Sequence, residues 1–385
     1  MLSRNFLLAL LATVAAISLS AQVANGKLQI HHIDMGQGDA AVLISPDGKV
    51  VLFDAGKDMA NRKDCNVETE YLDQLGVKQI DYIFISHYHS DHIGCIPAVL
   101  KQFPLKGPAY DRGQDYSSAF YTNYVAAVGH ARATATLGQS ITLDTGADPV
   151  TLKVVSINGT FAGGSVPTQN ENDLSVSVLV SFDGFREEIG GDLSGENTSS
   201  YQDIETGVEP SVGAIDVYKV HHHCSAYSSN ESWLNETQPT VAIISDGDGN
   251  SYGHPAASCL ERLHSSNVKK VYWTEKGAGT LGANDVLAGD VSIEVAPHAT
   301  SYTVSYGADS QTDTYPMRAS SGAVVNDGSD VSNPTERLYA WSAKGRLYYF
   351  VDCAGAQRIS KANLRTGSVP PAGYIPAACV TEEPK

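Results

Sequence analysis

The sequence predicts a mixed α/β (α+β) protein in which two β-sheets pack together and are flanked by helices. Short β-branched and aromatic runs alternate with helical patterns, and this order of strands followed by helices occurs twice along the chain. Several runs end directly in histidine or aspartate, which gathers polar side chains at one side of the sheets. A chain of 385 residues is long enough to bury the core of such a layered fold.

Residues 1–24 have the pattern of a secretory signal peptide. Arg4 supplies a short basic start, an apolar run follows from Phe6 to Leu19, and Ala21 and Ala24 are small residues suited to cleavage. The run is too short for a stable membrane span, and no later stretch approaches that length. We therefore expect an exported and soluble mature protein, extracellular or periplasmic, without a transmembrane segment after signal removal.

The six cysteines fit an oxidising compartment. An even number in an exported chain favours disulfides, although six cysteines allow 15 pairings in principle. The alternative is that they are free structural thiols. We predict that neighbours along the chain pair, which gives Cys65–Cys95, Cys224–Cys259 and Cys353–Cys379.

The formal net charge of −17 bears on the class of partner. Affinity for nucleic acids depends largely on lysine and arginine side chains that neutralise phosphates. The acidic balance therefore argues against strong binding of long DNA or RNA. A local basic rim or bound metal ions could offset this balance, and acidic exported proteins are also common for solubility alone.

The first elements are predicted as strands at residues 27–34, 40–45 and 50–54. Gly36 and Gly38, between the first two, suggest a loop whose backbone closely approaches another group. Asp54 ends the third strand, where its carboxylate could orient a metal-bound histidine or simply cap the strand. A helix is predicted over residues 67–75, before the next strand.

The predicted strand from Ile80 to Ser86 ends in the most informative stretch of the chain, a His-x-His-x-Asp-His sequence at residues 87–92. Side chains alternate along an extended segment, so His87 and His89 point the same way and can share one cation. Asp91 and His92 stand where the chain turns into a helix and can face a second cation. Nitrogen and carboxylate ligands in this mixture suit zinc, with manganese or iron as substitutes. These residues predict a metal site.

Three later strand ends supply further candidates. Asp192 follows two glycines after a strand at 185–189, where a carboxylate can bridge two metals. A histidine triplet, residues 221–223, follows a strand at 214–220, and we favour a ligand role for it over a nonspecific polar patch. His254 ends a polar loop before a helix at 256–264. We predict that it lines the pocket, with a capping or structural role as the alternative.

The remaining elements complete the predicted domains. Helices are predicted at 92–101 and 116–132, and strands at 152–157, 174–182, 240–245, 268–274 and 291–295. These assign residues 25–300 to one large domain that carries the predicted metal site. Residues 301–337 are rich in Ser, Thr, Gly and Asp, which predicts a polar linker or surface loop. Residues 338–385 recover strand character and are expected to form a small C-terminal element stapled by the third disulfide.

Together these residues resemble the metallo-β-lactamase superfamily, and more closely the hydrolase-like domain of the bacterial DNA-uptake competence membrane protein and its stand-alone secreted relatives. The shared segments are residues 34–40, 53–56, 87–92, 191–192, 219–223 and 252–255. The resemblance covers about residues 27–300 and leaves the C-terminal extension outside. It implies a four-layer αβ/βα sandwich with a binuclear metal site at one edge of the sheets.

The resemblance also implies roles for individual residues. It expects two Zn²⁺ ions, with Mn²⁺ or iron as substitutes, held by His87 and His89 at the first position, Asp91, His92 and His222 at the second, and Asp192 between them. The usual third ligand of the first metal is not evident, and Asn172 is the candidate substitute. Cys95 and Cys224 replace glycines of the usual pattern beside ligands, which leaves the choice among His221, His222 and His223 open.

The function implied is that of a secreted binuclear metal-dependent hydrolase that uses a metal-activated hydroxide. Asp91 would orient the hydroxide, and His223 or His254 would hold the substrate anion or protonate the leaving group. We expect phosphodiesters as substrates, either small phosphoesters or nucleic acid. One alternative is a carbonyl hydrolase of the lactone or β-lactam type. Another is a metal-bearing binding protein without turnover, against which the intact set of ligands argues.

Overall fold

The computed structural model describes residues 24–58, 63–146, 148–318, 339–342, 347–350, 363–367 and 375–376. The chain divides into two compact units, residues 1–323 and residues 324–385. The predicted signal peptide, apart from Ala24, and the predicted Cys353–Cys379 disulfide lie outside the described residues. In the part of the chain that is described, no helix has the length and apolar character needed to cross a membrane.

The N-terminal half of the first unit alternates strands with helices. Its strands are β1 (Leu28–His32), β2 (Ala41–Ile44), β3 (Val50–Phe53), β4 (Tyr82–Phe84), β5 (Ala109–Asp111) and β6 (Arg132–Thr134). Its helices are α1 (Asn66–Gln74), α2 (Ser90–Ile93), α3 (Ile96–Gln102) and α4 (Ala119–Val128), followed by a 3-10 turn at Gly129–Ala131. The strands from β3 to β6 run parallel to one another.

Ten further strands form the second sheet. They are β7 (Ser140–Thr142), β8 (Thr151–Ile157), β9 (Thr160–Phe161), β10 (Gly164–Ser165), β11 (Ser177–Phe182), β12 (Phe185–Ile189), β13 (Val217–Lys219), β14 (Val241–Ile244), β15 (Lys270–Trp273) and β16 (Asp285–Leu287). The helices of this half are α5 (Glu205–Val212), α6 (Glu231–Thr237) and α7 (Ala257–Ser265), with 3-10 turns at Asn172–Leu174 and His221–Cys224. The strands from β12 to β16 are parallel.

The chain then returns to the first sheet through β17 (Val291–Val295), β18 (Ser301–Tyr306) and β19 (Gln311–Pro316). The order of that sheet is β19-β18-β17-β1-β2-β3-β4-β5-β6, and β17 pairs antiparallel with β1. The prediction of a linker from residue 301 is therefore wrong for residues 301–316. In β18 the side chains of Tyr302, Val304 and Tyr306 are buried while the alternate residues are less so. One face of such a strand is polar, so its average composition is polar. The alternation of buried and exposed side chains is then not apparent from composition.

The two sheets pack face to face, and helices cover the outer face of each. Alternation along β3 places Val51 and Phe53 in the cluster between the sheets, whereas Val50 and Leu52 face the outer cluster. Outer clusters contain buried side chains of α1, α3 and α4 on the first sheet and of α5, α6 and α7 on the second. Four layers result, and the sandwich predicted from the sequence is confirmed.

Two of the predicted disulfides are confirmed. The sulfur atoms of Cys65 and Cys95 are 2.00 Å apart, and those of Cys224 and Cys259 are 2.07 Å apart. The first joins the start of α1 to the segment just before α3. The second joins the end of the histidine triplet to α7.

The helix predicted over residues 92–101 is two helices, α2 and α3, separated by Gly94 and Cys95. The amide of Gly94 donates to the carbonyl of Gly56 at 2.8 Å, which brings the loop after β3 against this point. A Cβ atom at Gly94 would lie only 2.7 Å from the Cβ of Lys57. The helix is interrupted at the next residue, because the amide of Cys95 donates to the carbonyls of Ala55 and Gly56 at 3.2 and 3.3 Å instead of continuing the helix.

One buried carboxyl group in α1 makes a pH-dependent prediction. Glu68 is fully buried, and neither of its carboxyl oxygens has a hydrogen-bond partner in the described chain. Burial, followed by the charge of Asp54, raises the pKa of Glu68 from 4.5 to about 8. Between these values the folded chain holds a proton that the unfolded chain releases. The contribution of Glu68 to stability is therefore fully present below pH 4.5 and is lost, by at most about 1.4 kcal/mol per pH unit, as pH rises toward 8.

The variant Glu68→Gln is expected to lose this contribution because the amide does not titrate, so its stability should fall less steeply with rising pH than that of the wild type. Free energies of unfolding from urea titrations between pH 5 and pH 8 provide the measurement. Glu70→Gln, at an exposed position of the same helix, is the control and should keep the slope. Equal slopes in wild type and Glu68→Gln would mean that Glu68 is ionised in the folded protein.

The second unit contains a four-stranded sheet. Its strands are β20 (Tyr339–Ser342), β21 (Leu347–Phe350), β22 (Leu364–Gly367) and β23 (Ile375–Pro376), in the order β22-β20-β21-β23. Strands β20 and β21 pair antiparallel. Both correspond to segments for which the sequence predicts strand character.

Candidate metal centre

Polar side chains from both sheets meet at the carboxyl ends of parallel strands. In the first sheet, Asp54 follows β3, and the motif that runs from His87 to His92 follows β4. In the second sheet, Asp192 follows β12 and the histidine triplet follows β13. Each of these strands is parallel to a neighbour, so the carboxyl ends lie at a common edge. Ligand sites in open α/β sheets usually occur at such edges.

Gly191 allows the ends of the two sheets to approach each other. Its φ of 60° lies in the left-handed region, which favours glycine. A Cβ atom at this position would lie 2.5 Å from the Cβ of Ser86, at the end of β4. Any larger residue would push the two strand ends apart. The glycine therefore lets Asp192 enter the space between the sheets.

His87 and His89 present a pair of ring nitrogens to one point, as the alternation along the strand predicts. The Nε2 atom of His87 lies 3.0 Å from the Nδ1 atom of His89. Two nitrogens at this spacing can bind one ion, because bonds from histidine nitrogen to zinc are about 2.0–2.1 Å long. The Nε2 atom of His87 is also 3.7 Å from Oδ2 of Asp192.

A second group forms from Asp91, His92 and His223, whose potential ligand atoms all lie within 4.8 Å of one another. The Nε2 atom of His223 is 3.6 Å from Oδ2 of Asp91 and 3.6 Å from Oδ1 of Asp192. The Nε2 atom of His92 is 3.4 Å from the same Oδ1. One residue from the second sheet thus joins two from the first.

Asp192 stands between the two groups. Its Oδ1 atom faces His92 and His223, and its Oδ2 atom lies 3.7 Å from both His87 and His222. Its carboxylate is buried. This is the arrangement expected of a carboxylate that bridges two ions, the role that the sequence resemblance implies for Asp192.

The three histidines of the triplet point to different places. His221 is buried between Glu188 and Glu205, with its Nδ1 atom 2.8 Å from the latter, and takes no part in the centre. His222 places Nε2 3.0 Å from Nδ2 of Asn172. His223, rather than the expected His222, reaches Asp91 and His92.

The backbone explains why the third histidine takes this position. His222 and His223 have φ values of 49° and 52°, and Cys224 follows with 58°. Three successive residues in the left-handed region form a tight turn, which abolishes the alternation of a strand. Cysteine does not favour the left-handed region as glycine does, so the residue types give no clear signal for this turn.

Two hydrogen bonds orient the histidines of the second group. Oδ2 of Asp54 lies 2.8 Å from Nδ1 of His92, and Ser86 donates to the same carboxylate from its amide and its hydroxyl. The Nδ1 atom of His223 lies 2.7 Å from the carbonyl oxygen of Ser245. Both rings therefore direct Nε2 toward the centre. Of the two roles considered for Asp54, the structure favours the orientation of a histidine.

The centre has the electrostatics of a cation site. Burial lowers the pKa of His223, but the charges of Asp192, Asp39 and Asp91 outweigh burial and raise it to about 9. Burial likewise opposes ionisation of Asp192, yet the charges of His92 and His223 hold the pKa of Asp192 well below its ordinary value. The carboxylates therefore favour positive charge at this point, which either protons or metal ions can supply.

Unpartnered atoms test whether these residues fit metal ions. Nε2 of His92, Nε2 of His223 and Oδ1 of Asp192 are buried and have no hydrogen-bond partner among the described residues. Buried polar atoms in proteins are normally paired. Three such atoms, from three segments, face one another at 3.4–3.6 Å. Metal ligation accounts for all three, and the donor set suits zinc.

Comparison with known families agrees with this geometry. The family model described as the metallo-beta-lactamase superfamily matches residues 35–248, more than half of the chain. The chain belongs to the metallo-beta-lactamase superfamily. The family indicated by the sequence motifs is thereby confirmed.

Two curated proteins show similarity to this superfamily member. Recombination protein 2 of Haemophilus influenzae is 28% identical over 249 residues, which cover 64% of this chain and 28% of that protein. ComE operon protein 3 of Bacillus subtilis is 25% identical over 262 residues, which cover 65% of this chain and 32% of that protein. The chain thus spans about a third or less of the length of these relatives. Both support the branch that the motifs indicate.

Among solved structures, the chain is similar to the metallo-beta-lactamase fold protein YhfI from Bacillus subtilis. The TM-score is 0.41 at 15% sequence identity, over 65% of this chain and 98% of that one.

A buried ion pair supports the second group of this metallo-beta-lactamase domain. Nζ of Lys219, at the end of β13, donates to both carboxylate oxygens of Asp39 at 2.8 and 2.9 Å. The amide of Asp39 donates to the carbonyl of Asp91 at 3.0 Å, and Oδ1 of Asp39 lies 3.4 Å from Nδ1 of His223. A Cβ atom at the neighbouring Gly38 would lie 2.7 Å from the carbonyl oxygen of Asp91. The predicted close approach of this glycine loop to another group is thereby confirmed.

A second buried ion pair supports the first group. Glu171 accepts from the amide of Tyr88 at 2.8 Å, between His87 and His89, and from Nε and a terminal nitrogen of Arg112 at 2.9 and 2.7 Å. The Arg112 guanidinium also lies over the Tyr88 ring, 4.3 Å from its centroid. Sequence reasoning missed Glu171 and Arg112. Their separation of 59 residues follows no motif, so only the folded chain reveals the pair.

The centre opens into a pocket of about 410 Å³. His254 lines it, as predicted, with its ring centroid 5.3 Å from that of His222 and 5.9 Å from that of His223. Burial, followed by the charges of these two histidines, lowers the pKa of His254 to about 3, so its ring is neutral at physiological pH. Its Nδ1 atom is buried and has no hydrogen-bond partner in the part of the chain that the structure describes.

Proposed function

We propose that this superfamily member is a binuclear metal-dependent hydrolase that acts on phosphodiesters. The three buried and unpartnered atoms of His92, His223 and Asp192 carry the proposal. Two zinc ions are the expected cofactors, with manganese or iron as substitutes. The first would be held by His87, His89 and Asp192, and the second by Asp91, His92, His223 and Asp192 as well.

The protein residues divide the work of hydrolysis between them. When bound, two such cations lower the pKa of a water molecule and stabilise the negative charge that develops on the substrate. Asp54 and the Ser245 carbonyl hold the His92 and His223 rings in place. Asp91 orients the attacking oxygen. His254, as a neutral imidazole beside the centre, donates a hydrogen bond to a phosphoryl oxygen or to the leaving oxygen.

Phosphodiesters are favoured over other substrates for two reasons. A binuclear site suits the in-line displacement at phosphorus because it contacts both the attacking and the leaving oxygen. One relative is named for recombination, a process of nucleic acids, whose backbone bonds are phosphodiesters. The net charge of −17 favours a short ester over a long polynucleotide.

We also infer that the protein works outside the cytoplasm. The two described disulfides support export, because such bonds persist in oxidising compartments and are rare in the cytosol. The signal-like pattern of residues 1–24 is in line with this.

Hydrolysis of a small panel of substrates tests the proposed function. Zinc- or manganese-loaded protein is offered bis-(p-nitrophenyl) phosphate, p-nitrophenyl phosphate, a lactone and a β-lactam. We expect turnover of the diester, its loss on chelation, and a loss of about 100-fold or more in Asp91→Ala. Asp47→Ala, in an exposed turn, is the control.

Each other outcome of the panel has a definite meaning. Turnover of only the lactone or the β-lactam would replace the phosphodiesterase with a carbonyl hydrolase. Two bound metals without any turnover would favour a binding role. Full turnover in Asp91→Ala would contradict the mechanism.

A further inference from the structure

The exposed aromatic rings of the chain are concentrated at the mouth of the pocket. Among the residues whose exposure the structure describes, three aromatic side chains are exposed: Phe120 at 43%, Tyr227 at 40% and Tyr252 at 63%. Phe120 and Tyr252 line the pocket. Tyr227 stacks on Tyr201, which also lines it, with ring centroids 4.9 Å apart. Large apolar side chains left in water at one place mark a binding surface.

Near-parallel rings lead from the metal centre to this mouth. The His223 and His254 rings are inclined by 26° with centroids 5.9 Å apart. The His254 and Tyr252 rings are inclined by 26° with centroids 5.7 Å apart. This stack of rings leads from the centre to Tyr252, whose side chain is 63% exposed at the mouth of the pocket.

The charges of the pocket restrict what that group is. None of the described side chains that line it is a lysine or an arginine. Away from the metal ligands, the walls consist of aromatic rings and uncharged polar groups such as Gln37, Ser118 and Asn172. Additional phosphates would thus find no cationic partner there, whereas a planar ring would find faces to stack on.

We propose that the pocket selects phosphodiesters with a planar aromatic group on the non-leaving side, such as a nucleobase or an aryl ring, which stacks on Tyr252 and Phe120. This inference rests on the proposed phosphodiesterase function and names its substrate class. Tyr252 and Phe120 come from opposite halves of the first unit, on the loop after β14 and on α4, so together they bound the mouth of the pocket.

Two esters with one leaving group test the inference. The metal-loaded full chain is compared on the p-nitrophenyl ester of thymidine 5′-phosphate and on methyl p-nitrophenyl phosphate, which differ only in the retained group. We expect wild type to prefer the nucleoside ester in kcat/KM. Tyr252→Ala should lower that preference about ten-fold, the scale on which loss of an aromatic platform weakens binding of one base. Phe120→Ala should change it in the same direction.

Controls separate stacking from general damage. Tyr252→Phe keeps the ring and should keep the preference. Leu287→Ala, at a site that is 48% exposed and outside the pocket lining, should not alter it. Equal losses on both esters in Tyr252→Ala, or no loss on either, would overturn the inference. A larger loss on p-nitrophenyl phosphocholine would also overturn it, since the rings would then recognise a cationic ammonium group.

A binding measurement keeps this inference separate from the proposed function. Dissociation constants of thymidine 5′-phosphate and methyl phosphate, from calorimetry on wild type and Tyr252→Ala, give the same comparison without turnover. Ring-dependent binding with no hydrolysis of either ester would overturn the phosphodiesterase but support the aromatic subsite. Hydrolysis without a ring-dependent preference would support the phosphodiesterase but overturn the aromatic subsite.

Discussion

Asp192→Asn is expected to lower the turnover of a phosphodiester by about 10³-fold or more and to reduce the bound metal below two ions per chain. The amide keeps the size of the side chain but removes the charge that lies between the two groups of ligands. Each oxygen of Asp192 faces two histidines, so one substitution affects both positions. Metal content by mass spectrometry and kcat on bis-(p-nitrophenyl) phosphate provide the measurement.

Asp54→Asn is the variant with which Asp192→Asn is compared. Asp54 contacts the centre through Nδ1 of His92 and, by way of the Ser86 hydroxyl, Nδ1 of His87. Its loss should reduce metal affinity or activity by about 10–100-fold, the usual effect of removing a group that orients a ligand. A larger effect at Asp192 than at Asp54 supports the bridging role. Full metal content and turnover in Asp192→Asn would exclude a shared carboxylate and hence the binuclear centre.

Lys219→Met is expected to destabilise the folded chain by about 3–5 kcal/mol. The methionine approximates the volume of the lysine stem but leaves the carboxylate of Asp39 buried without its cation. Breaking a buried ion pair from one side is costly because the remaining charge has lost its water and its closest cation. Urea unfolding with chelator present measures the change without a contribution from bound metal.

Two further variants show whether the charge is the cause. Asp39→Asn combined with Lys219→Met removes both charges and should recover much of the lost stability. Lys27→Met breaks the ion pair with Glu294, whose side chains are 43% and 35% exposed, and should change stability by less than about 1 kcal/mol. If the double variant is no more stable than Lys219→Met, lost packing rather than unpaired charge explains the effect.

Local patterns were sufficient to predict most strands of the sandwich and the places where ligands occur. An apolar run that stops at histidine or aspartate, as at His87 and Asp192, marks a buried strand and its carboxyl end together. Two features of the fold could not be predicted from local sequence patterns. Strands β18 and β19 are polar on one face, so composition suggested a linker. Helix α5 contains Pro210, and its sequence lacks a clear helical signal.

Within the site, the sequence predicted which residues lie close together but not the direction in which each side chain points. The choice of His223 over His222 depends on three successive left-handed residues, a property of the turn rather than of residue type. Glu171 and Arg112 depend on a contact between distant segments. The sequence gives no local signal for such a pair, because its two residues lie far apart along the chain and meet only when it folds.

The two disulfides link the redox state of the chain to the segments that carry the histidines. Cys95 follows His92 by three residues, and Cys224 follows His223 directly, so each bond restrains one of the two segments that supply histidines to the second position. Before oxidation, the same four cysteines are thiols, and thiolates are strong ligands for zinc. Oxidation therefore withdraws the competing ligands in the same step that restrains the histidine segments. The same four sulfur atoms would compete with the histidines for a metal ion when reduced, and they restrain the histidine segments when oxidised.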